Sequence, residues 1–181
     1  MKKFSIAMLS MVLAGSMLLT GCGAKTEEAP WQTAYRETGK YLQEQDALSA
    51  GSVGGEWAVI GLSRAGLLSD ETAQSYEQTV EDYVKQAGSV RLHHAKSTEN
   101  SRAILGLTAA GYNAANMAGV DLTAGLTDMA YLRAQGTNGP IWALIALDCH
   151  GYDIPQCADG EEQTTCEGLV AEILSYQCSD G

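Results

Sequence analysis

Three short segments of the chain carry side chains of the types that bind amphiphilic ligands. They contribute the candidate site residues Glu56 and Trp57, Glu99 and Arg102, and Asn138 and Trp142. Each pair lies at the predicted start of a helix, where unpaired backbone N–H groups favour anions. The indole rings offer flat apolar walls. Together these residues predict a site for a small ligand with an apolar body and a polar or anionic head.

A purely structural role would explain the same residues. In that interpretation Glu56 and Glu99 complement the dipoles of their helices, and Arg102 pairs with one of the two carboxylates. Both Trp side chains then pack between helices. The sequence leaves the two interpretations open, and it predicts no catalytic residue, metal ion or cofactor.

The helices that would position these residues follow from an internal repeat. Residues 58–67 read AVIGLSRAGL, residues 103–112 read AILGLTAAGY, and residues 143–152 read ALIALDCHGY. The copies begin 45 and 40 residues apart, a period typical of stacked helical hairpins. Small and aliphatic residues occupy nearly the whole circumference of each segment, which is typical of a buried helix. The Gly that follows each segment suits a left-handed C-terminal cap. We call these three helices the inner helices.

Amphipathic outer segments alternate with the inner helices. No strand-like run is long enough to build a sheet, so the sequence predicts an all-α fold of about three and a half helical hairpins. Because the chain stops directly after an outer helix without a polar capping unit, we expect it to be an N-terminal piece of a longer array, or its partner hairpins to lie elsewhere. Outer helices are predicted at residues 31–45, 70–87, 122–134 and 163–177, with a brief extended segment at residues 89–96.

The start of the chain has the pattern of an export signal. Lys2 and Lys3 precede an apolar run at residues 4–19, which ends in Leu-Thr-Gly-Cys22. This pattern predicts a secretory signal peptide, and the Cys after Leu-Thr-Gly resembles the lipobox of bacterial lipoproteins. The run is shorter than the roughly 20 residues that cross a bilayer, which argues against a transmembrane anchor.

We therefore predict a lipoprotein signal peptide at residues 1–21, a lipid anchor on Cys22 and a polar tether at residues 22–30. The domain itself would span residues 31–181. Several acyl chains on Cys22 would hold the protein stably on the extracytoplasmic face of the cell membrane.

The charge of the mature chain narrows the choice of partners. Without residues 1–21 the chain has 160 residues, with 9 basic and 22 acidic side chains and a formal charge of −13. So acidic a surface argues against nucleic-acid binding, which needs clustered Lys and Arg. It suits a domain held just outside an anionic membrane.

Four further cysteines allow three kinds of chemistry. An even number in an exported chain favours disulfides, with Cys149 placed near Cys157 or Cys166. Free thiols are the second alternative. A zinc site is the third, and it is disfavoured because adjacent helical residues such as Asp148, Cys149 and His150 point about 100° apart. The four cysteines are Cys149, Cys157, Cys166 and Cys178.

Three runs carry a resemblance to a known family: SRAILGLTAAGYN, LTAGLTDM and QGTNGPIWALIALDCHGYDIP. They resemble the prenyltransferase-like α/α toroid of exported bacterial lipoproteins, a fold shared by terpenoid cyclases, protein prenyltransferase β subunits and cobalamin carriers. The resemblance covers roughly residues 31–181, which is most of the mature chain, and it implies a closed ring of hairpins around a cavity, of which this chain supplies a little over half. The Asp-x-Asp-Asp motif of class II terpene cyclases does not occur in the sequence, and the hairpins that carry the zinc ligands of prenyltransferases are largely missing. Neither catalytic apparatus is carried over.

We therefore expect a membrane-anchored, extracytoplasmic binding or scaffold module that lines its cavity with aromatic and amide side chains. Substituting Glu56, Arg102 and Asn138 together should then weaken ligand binding. An isoprenoid-processing enzyme is the first alternative, and it would place two or more carboxylates or a zinc triad in the cavity. A peptide-binding open solenoid is the second, and it would expose a groove without ring closure.

Overall fold

The computed structural model describes residues 29–45, 48–52 and 54–180. Within these ranges the secondary structure consists of seven α-helices and two short 3₁₀ helices, without a β-strand. The predicted all-α fold is confirmed, whereas closure into a toroid stays a prediction. The signal peptide, Cys22 and most of the tether lie outside the described residues. No helix in the described ranges is both long enough and apolar enough to span a bilayer.

The chain divides into two compact units, Met1–Arg36 and Glu37–Gly181. In the first unit the described part is the beginning of helix α1, where Gln32 Oε1 accepts a hydrogen bond from the N–H of Ala29 at 2.9 Å. All later elements belong to the second unit. The helices are α1 Pro30–Gln43, α2 Gly55–Arg64, α3 Asp70–Ala87, α4 Thr98–Ala109, α5 Met129–Arg133, α6 Asn138–Asp148 and α7 Cys166–Ser175.

Helices α2, α4 and α6 are the three inner helices, and α4 packs against both of the others. The first residue of each repeat is a buried alanine, Ala58, Ala103 or Ala143. Such small side chains let helix backbones approach closely. The leucine four residues later is also buried in every copy, at Leu62, Leu107 and Leu147. The prediction that three similar helices lie side by side is confirmed.

Each inner helix ends in the same cap. Gly66, Gly111 and Gly151 have φ values of 66°, 88° and 65°, a left-handed conformation that glycine adopts at little cost. The N–H of the residue after each glycine donates to the carbonyl five residues earlier, at 2.9 Å in all three copies. This pairing is the Schellman motif, so the predicted glycine caps are confirmed.

The long outer helix α3 forms as its sequence predicts. Ser69 Oγ accepts a hydrogen bond from the N–H of Thr72 at 3.1 Å, and Gly88, with φ of 61°, ends the helix. Tyr76 and Val80 on its inward face are fully buried. A capped start, an amphipathic face and a terminal glycine are enough to fix a helix of this length.

The outer segment at residues 122–134, predicted as one helix, is instead broken at Asp128. It forms a 3₁₀ helix, Leu122–Leu126, and then the short helix α5. Asp128 has extended backbone angles and its Oδ1 accepts the N–H of Ala130 at 3.0 Å. The N–H of the following residue donates to Glu162 O at 2.8 Å. A contact with a distant loop therefore replaces the helical hydrogen bonds at this point.

Two further segments differ from their predictions. Residues 89–96 form turns and bends, not an extended strand. The last outer helix begins at Cys166, three residues later than predicted, after Thr165 caps it by accepting the N–H of Gly168 at 2.9 Å. Thr164 is not part of the helix, because its N–H donates to Thr127 O at 2.7 Å. Side-chain capping and pairing between loops thus shorten this helix.

The repeat provides a matched pair of glycines for a test of packing. Gly61 and Gly106 occupy the same repeat position, but a Cβ at Gly61 would meet open space whereas one at Gly106 would overlap the buried side chain of Tyr76. We expect Gly106→Ala to lower the free energy of unfolding by about 1–3 kcal/mol through overpacking. Gly61→Ala should raise it by about 0.5–1 kcal/mol. Urea unfolding monitored by circular dichroism measures both, and equal effects would contradict the packing described here.

Candidate functional site

The N-terminal ends of the inner helices surround a cavity of about 410 Å³, which we call the rim cavity. Helices α2, α4 and α6 each contribute side chains to its wall. The structure thus brings together five of the six residues that the sequence predicts for the site. These five are Trp57, Glu99, Arg102, Asn138 and Trp142, and the lining is completed by Lys96, Thr98 and Gln135.

Two indole rings form the apolar wall of the rim cavity. The ring centroids of Trp57 and Trp142 are 5.2 Å apart and the ring planes are inclined by 57°, a favourable tilted arrangement. The contact links α2 with α6, the two helices that flank α4. Trp57 remains 42 % exposed, so part of its ring is open to a ligand. Both rings thus pack between helices and line the rim cavity.

Arg102 and Glu99 form an ion pair in the wall of the same cavity. Arg102 Nη2 lies 2.5 Å from Glu99 Oε2, and the Tyr83 hydroxyl donates to the same oxygen at 3.4 Å. Burial and the neighbouring Glu99 charge raise the pKa of Tyr83, so its hydroxyl remains a neutral donor. Glu99 thereby orients Arg102, while the guanidinium still faces the cavity.

The rim cavity has an excess of positive charge. Lys96 is exposed and has no ion-pair partner among the described residues. Together with Arg102 and Glu99 it gives the lining two cations and one carboxylate. In the same ranges Arg91, Arg133 and Lys85 each lie against one or two acids. The chain as a whole has a formal charge of −11. A cationic cavity on such a protein attracts anions selectively.

Glu56 was expected in the site but does not line the rim cavity. Its side chain is buried, and Oε1 accepts the N–H of Gly51 at 2.6 Å. Its Oε2 and the hydroxyl of Tyr76 are both buried without a hydrogen-bond partner in the described part of the chain. Burial, reinforced by the charge of Glu56, raises the pKa of Tyr76. Successive helical residues point about 100° apart, so Trp57 faces the cavity and Glu56 does not.

Gln135 is a lining residue that the sequence did not indicate. Ser97, the residue before α4, makes no side-chain cap of its own. Gln135 supplies it, since its Oε1 accepts the N–H of Thr98 at 2.9 Å and the hydroxyl of Ser97 at 3.1 Å. Gln135 lies 37 residues from Thr98 in the sequence, and no local pattern relates a helix start to a residue so distant.

Two buried side chains, Asn100 and Tyr131, hold the segment that carries Lys96 in place. Asn100 Oδ1 accepts the N–H of Leu92 at 2.9 Å, and its Nδ2 donates to Val90 O at 2.6 Å. The hydroxyl of Tyr131 donates to the carbonyl of His93. These bonds satisfy backbone groups that a turn leaves unpaired, and they place Lys96 at the cavity without regular secondary structure.

The cysteines do not form the expected disulfides. Cys149, Cys157, Cys166 and Cys178 are all free thiols in the structure. Partial burial raises the pKa of the Cys149 thiol, so this thiol is protonated at neutral pH. Across the described ranges, no three His, Cys, Asp or Glu side chains lie close enough together to hold a metal ion. Of the three alternatives for these residues, the structure shows the free thiols.

No protein-family model, curated protein or solved structure matches this chain. The geometry of the rim cavity and the pattern of the N-terminal residues are therefore the observations from which a function can be argued.

Tyr131, which anchors the Lys96 segment, predicts a dependence of stability on pH. Burial raises its pKa to about 12, against the opposing effect of the Arg91 charge, whereas the unfolded chain loses this proton near pH 10.0. The folded state therefore keeps the proton longer, and the free energy of unfolding falls as pH rises through this interval.

Urea unfolding of the wild type and of Tyr131→Phe across the interval measures the effect. The variant is expected to be less stable at neutral pH, because it loses the bond to His93, but to lose less of its stability as pH rises. Parallel pH profiles for the two proteins would show that Tyr131 titrates normally.

Proposed function

We propose that this protein is a membrane-anchored, extracytoplasmic binding protein whose rim cavity holds a small amphiphilic ligand by an anionic group. The observation that carries the proposal is that Arg102 lines the same cavity as the two contacting indole rings of Trp57 and Trp142, which come from the flanking helices. A guanidinium beside flat apolar walls suits a molecule that has both an anionic and an apolar part.

The polar lining supports an anionic head. Arg102 has several N–H donors, and Glu99 is its ion-pair partner among the described residues. Lys96 and the amide side chains of Gln135 and Asn138 add further donors to the same cavity. Charge-assisted hydrogen bonds are about twice as strong as neutral ones, so a carboxylate or similar group gains most from this lining.

Aromatic and amide side chains make up half of the residues that line the rim cavity. That lining is the one we expect of a binding module. An isoprenoid-processing enzyme would be expected to place two or more carboxylates or a zinc triad there, and the carboxylate of this cavity is that of Glu99. The lining therefore favours binding as the proposed function.

The proposed location depends on the sequence at the start of the chain. Two lysines, an apolar run and Leu-Thr-Gly-Cys22 have the order of a lipoprotein signal. Removal of residues 1–21 would leave Cys22 as the acylated first residue, followed by a short polar tether. The acidic domain would then extend away from the anionic membrane surface, since like charges repel.

Ligand binding can be tested with dodecanoate and with dodecanol, its neutral counterpart of similar length. We expect dodecanoate to change the fluorescence of Trp57 and Trp142 and to bind more tightly than dodecanol. Arg102→Gln should weaken dodecanoate binding about tenfold or more, because a charge-assisted bond contributes about 1.5–3 kcal/mol.

Arg133→Gln is the matched control, because Arg133 also pairs with acids but lies outside the rim cavity. It should leave binding unchanged. Equal affinities for dodecanoate and dodecanol, or an Arg102→Gln variant that binds as the wild type does, would contradict the proposal.

The lipid anchor is tested separately in a bacterial host. The wild type should be recovered in the membrane fraction and should incorporate a labelled fatty acid, because acyl chains on Cys22 carry the anchoring energy. Cys22→Ser should abolish the label, whereas Cys178→Ser should not, since Cys178 is an exposed thiol at the other end of the chain. Label that persists in Cys22→Ser would show that the anchor lies elsewhere.

A further inference from the structure

The inner helices present one continuous face beyond the rim cavity, and the repeat places its residues in register. Trp57, Arg102 and Trp142 occupy the same repeat position on α2, α4 and α6. Three residues after these positions each helix has an aliphatic residue. On α2 the next residue is Gly61, where an added Cβ would meet open space. Residues three and seven positions apart lie on one side of a helix. We call this surface the inner face. Its aliphatic middle layer is Ile60, Leu105 and Ile145.

A second cavity of about 160 Å³ lies on the inner face, toward the other end of the helices. Ile60 and Leu105 of the aliphatic layer line it, together with Arg64 and Cys149. Ile145, the third member of that layer, is 44 % exposed. The aliphatic layer is therefore accessible between the two cavities, and it leaves apolar surface open to a ligand.

Arg64 gives the far end of the inner face a positive charge. It is exposed, and no carboxylate of the described residues forms an ion pair with it. Arg102 and Lys96 give the near end its positive charge. The inner face thus has cations at both ends and aliphatic side chains between them.

The separation of the two charged ends follows from helix geometry. Arg64 lies seven residues after Trp57, the residue in register with Arg102, and at 1.5 Å per residue this corresponds to about 10 Å along the helix axis. A ligand that fills the rim cavity and continues along the aliphatic layer reaches Arg64. If it ended there in an apolar group, it would shield a guanidinium from water without a counter-charge, which is unfavourable.

We propose that the ligand class of this protein is an elongated dianion, with an apolar middle and anionic groups about 10 Å apart. One anionic group would bind Arg102 and Lys96, the middle would lie over Ile60, Leu105 and Ile145, and the second group would bind Arg64. This inference rests on the proposed function, because it assumes that an anionic group occupies the rim cavity.

The test compares decanedioate with decanoate, which has one carboxylate fewer at nearly the same length. Wild-type protein is expected to bind decanedioate about tenfold more tightly, because the second carboxylate gains a charge-assisted bond at Arg64. Arg64→Gln should remove this advantage by weakening the binding of decanedioate, and it should not weaken decanoate, whose apolar end would no longer cover a guanidinium. Arg133→Gln should change neither affinity, and tryptophan fluorescence reports all six titrations.

A length series from hexanedioate to tetradecanedioate provides a second readout. The structure leads us to expect the tightest binding near decanedioate, because its two carboxylates are separated by about the axial distance between the levels of Arg102 and Arg64. Tighter binding of decanoate than of decanedioate, equal losses for both in Arg64→Gln, or an affinity that rises steadily with length would each overturn the inference. If neither compound binds at all, the proposed function fails together with this inference. The other outcomes overturn the inference alone, because an anionic group would still bind in the rim cavity.

Discussion

Close packing of α4 between α2 and α6 is the contact on which the rest of the described structure depends. Alanines in the same repeat position lie at these contacts and let the backbones approach, and a leucine from each helix fills the core beside them. Burial of apolar side chains of this size supplies roughly 1.5–3 kcal/mol each. Any larger residue at the alanine positions would separate the helices and with them the walls of the rim cavity.

The site is a consequence of that packing. Because the three helices run in register, their N-terminal ends meet at one level, and residues as distant as Trp57 and Trp142 come into contact. The lining at this level has two cations and one carboxylate, although the overall charge of the chain is strongly negative. The ion pair with Glu99 fixes Arg102 in place without neutralising the cavity. Shape, apolar surface and charge thus derive from a single arrangement of helices.

Much of this could be predicted from the sequence, and the exceptions share a physical reason. The repeat and its glycines reveal the inner helices, since both depend on residues near one another in the chain. Five of the six expected site residues line the cavity because they begin equivalent helices. Gln135 and the break at Asp128 depend instead on partners about 35 residues away, and local patterns contain no information about such partners. The prediction for Glu56 missed a geometric effect: successive residues of a helix point about 100° apart, so the neighbour of Trp57 points away from the cavity.

The identical Schellman caps have a consequence for how such an array tolerates change in length. The copies are 45 and 40 residues apart, yet each buried segment stops at the same point relative to its leucine and glycine. The difference is absorbed by the peripheral connections, where a full helix in one copy is replaced by two 3₁₀ helices and a short α-helix in the next. Insertions and deletions can therefore accumulate on the outside while the interior keeps its phase.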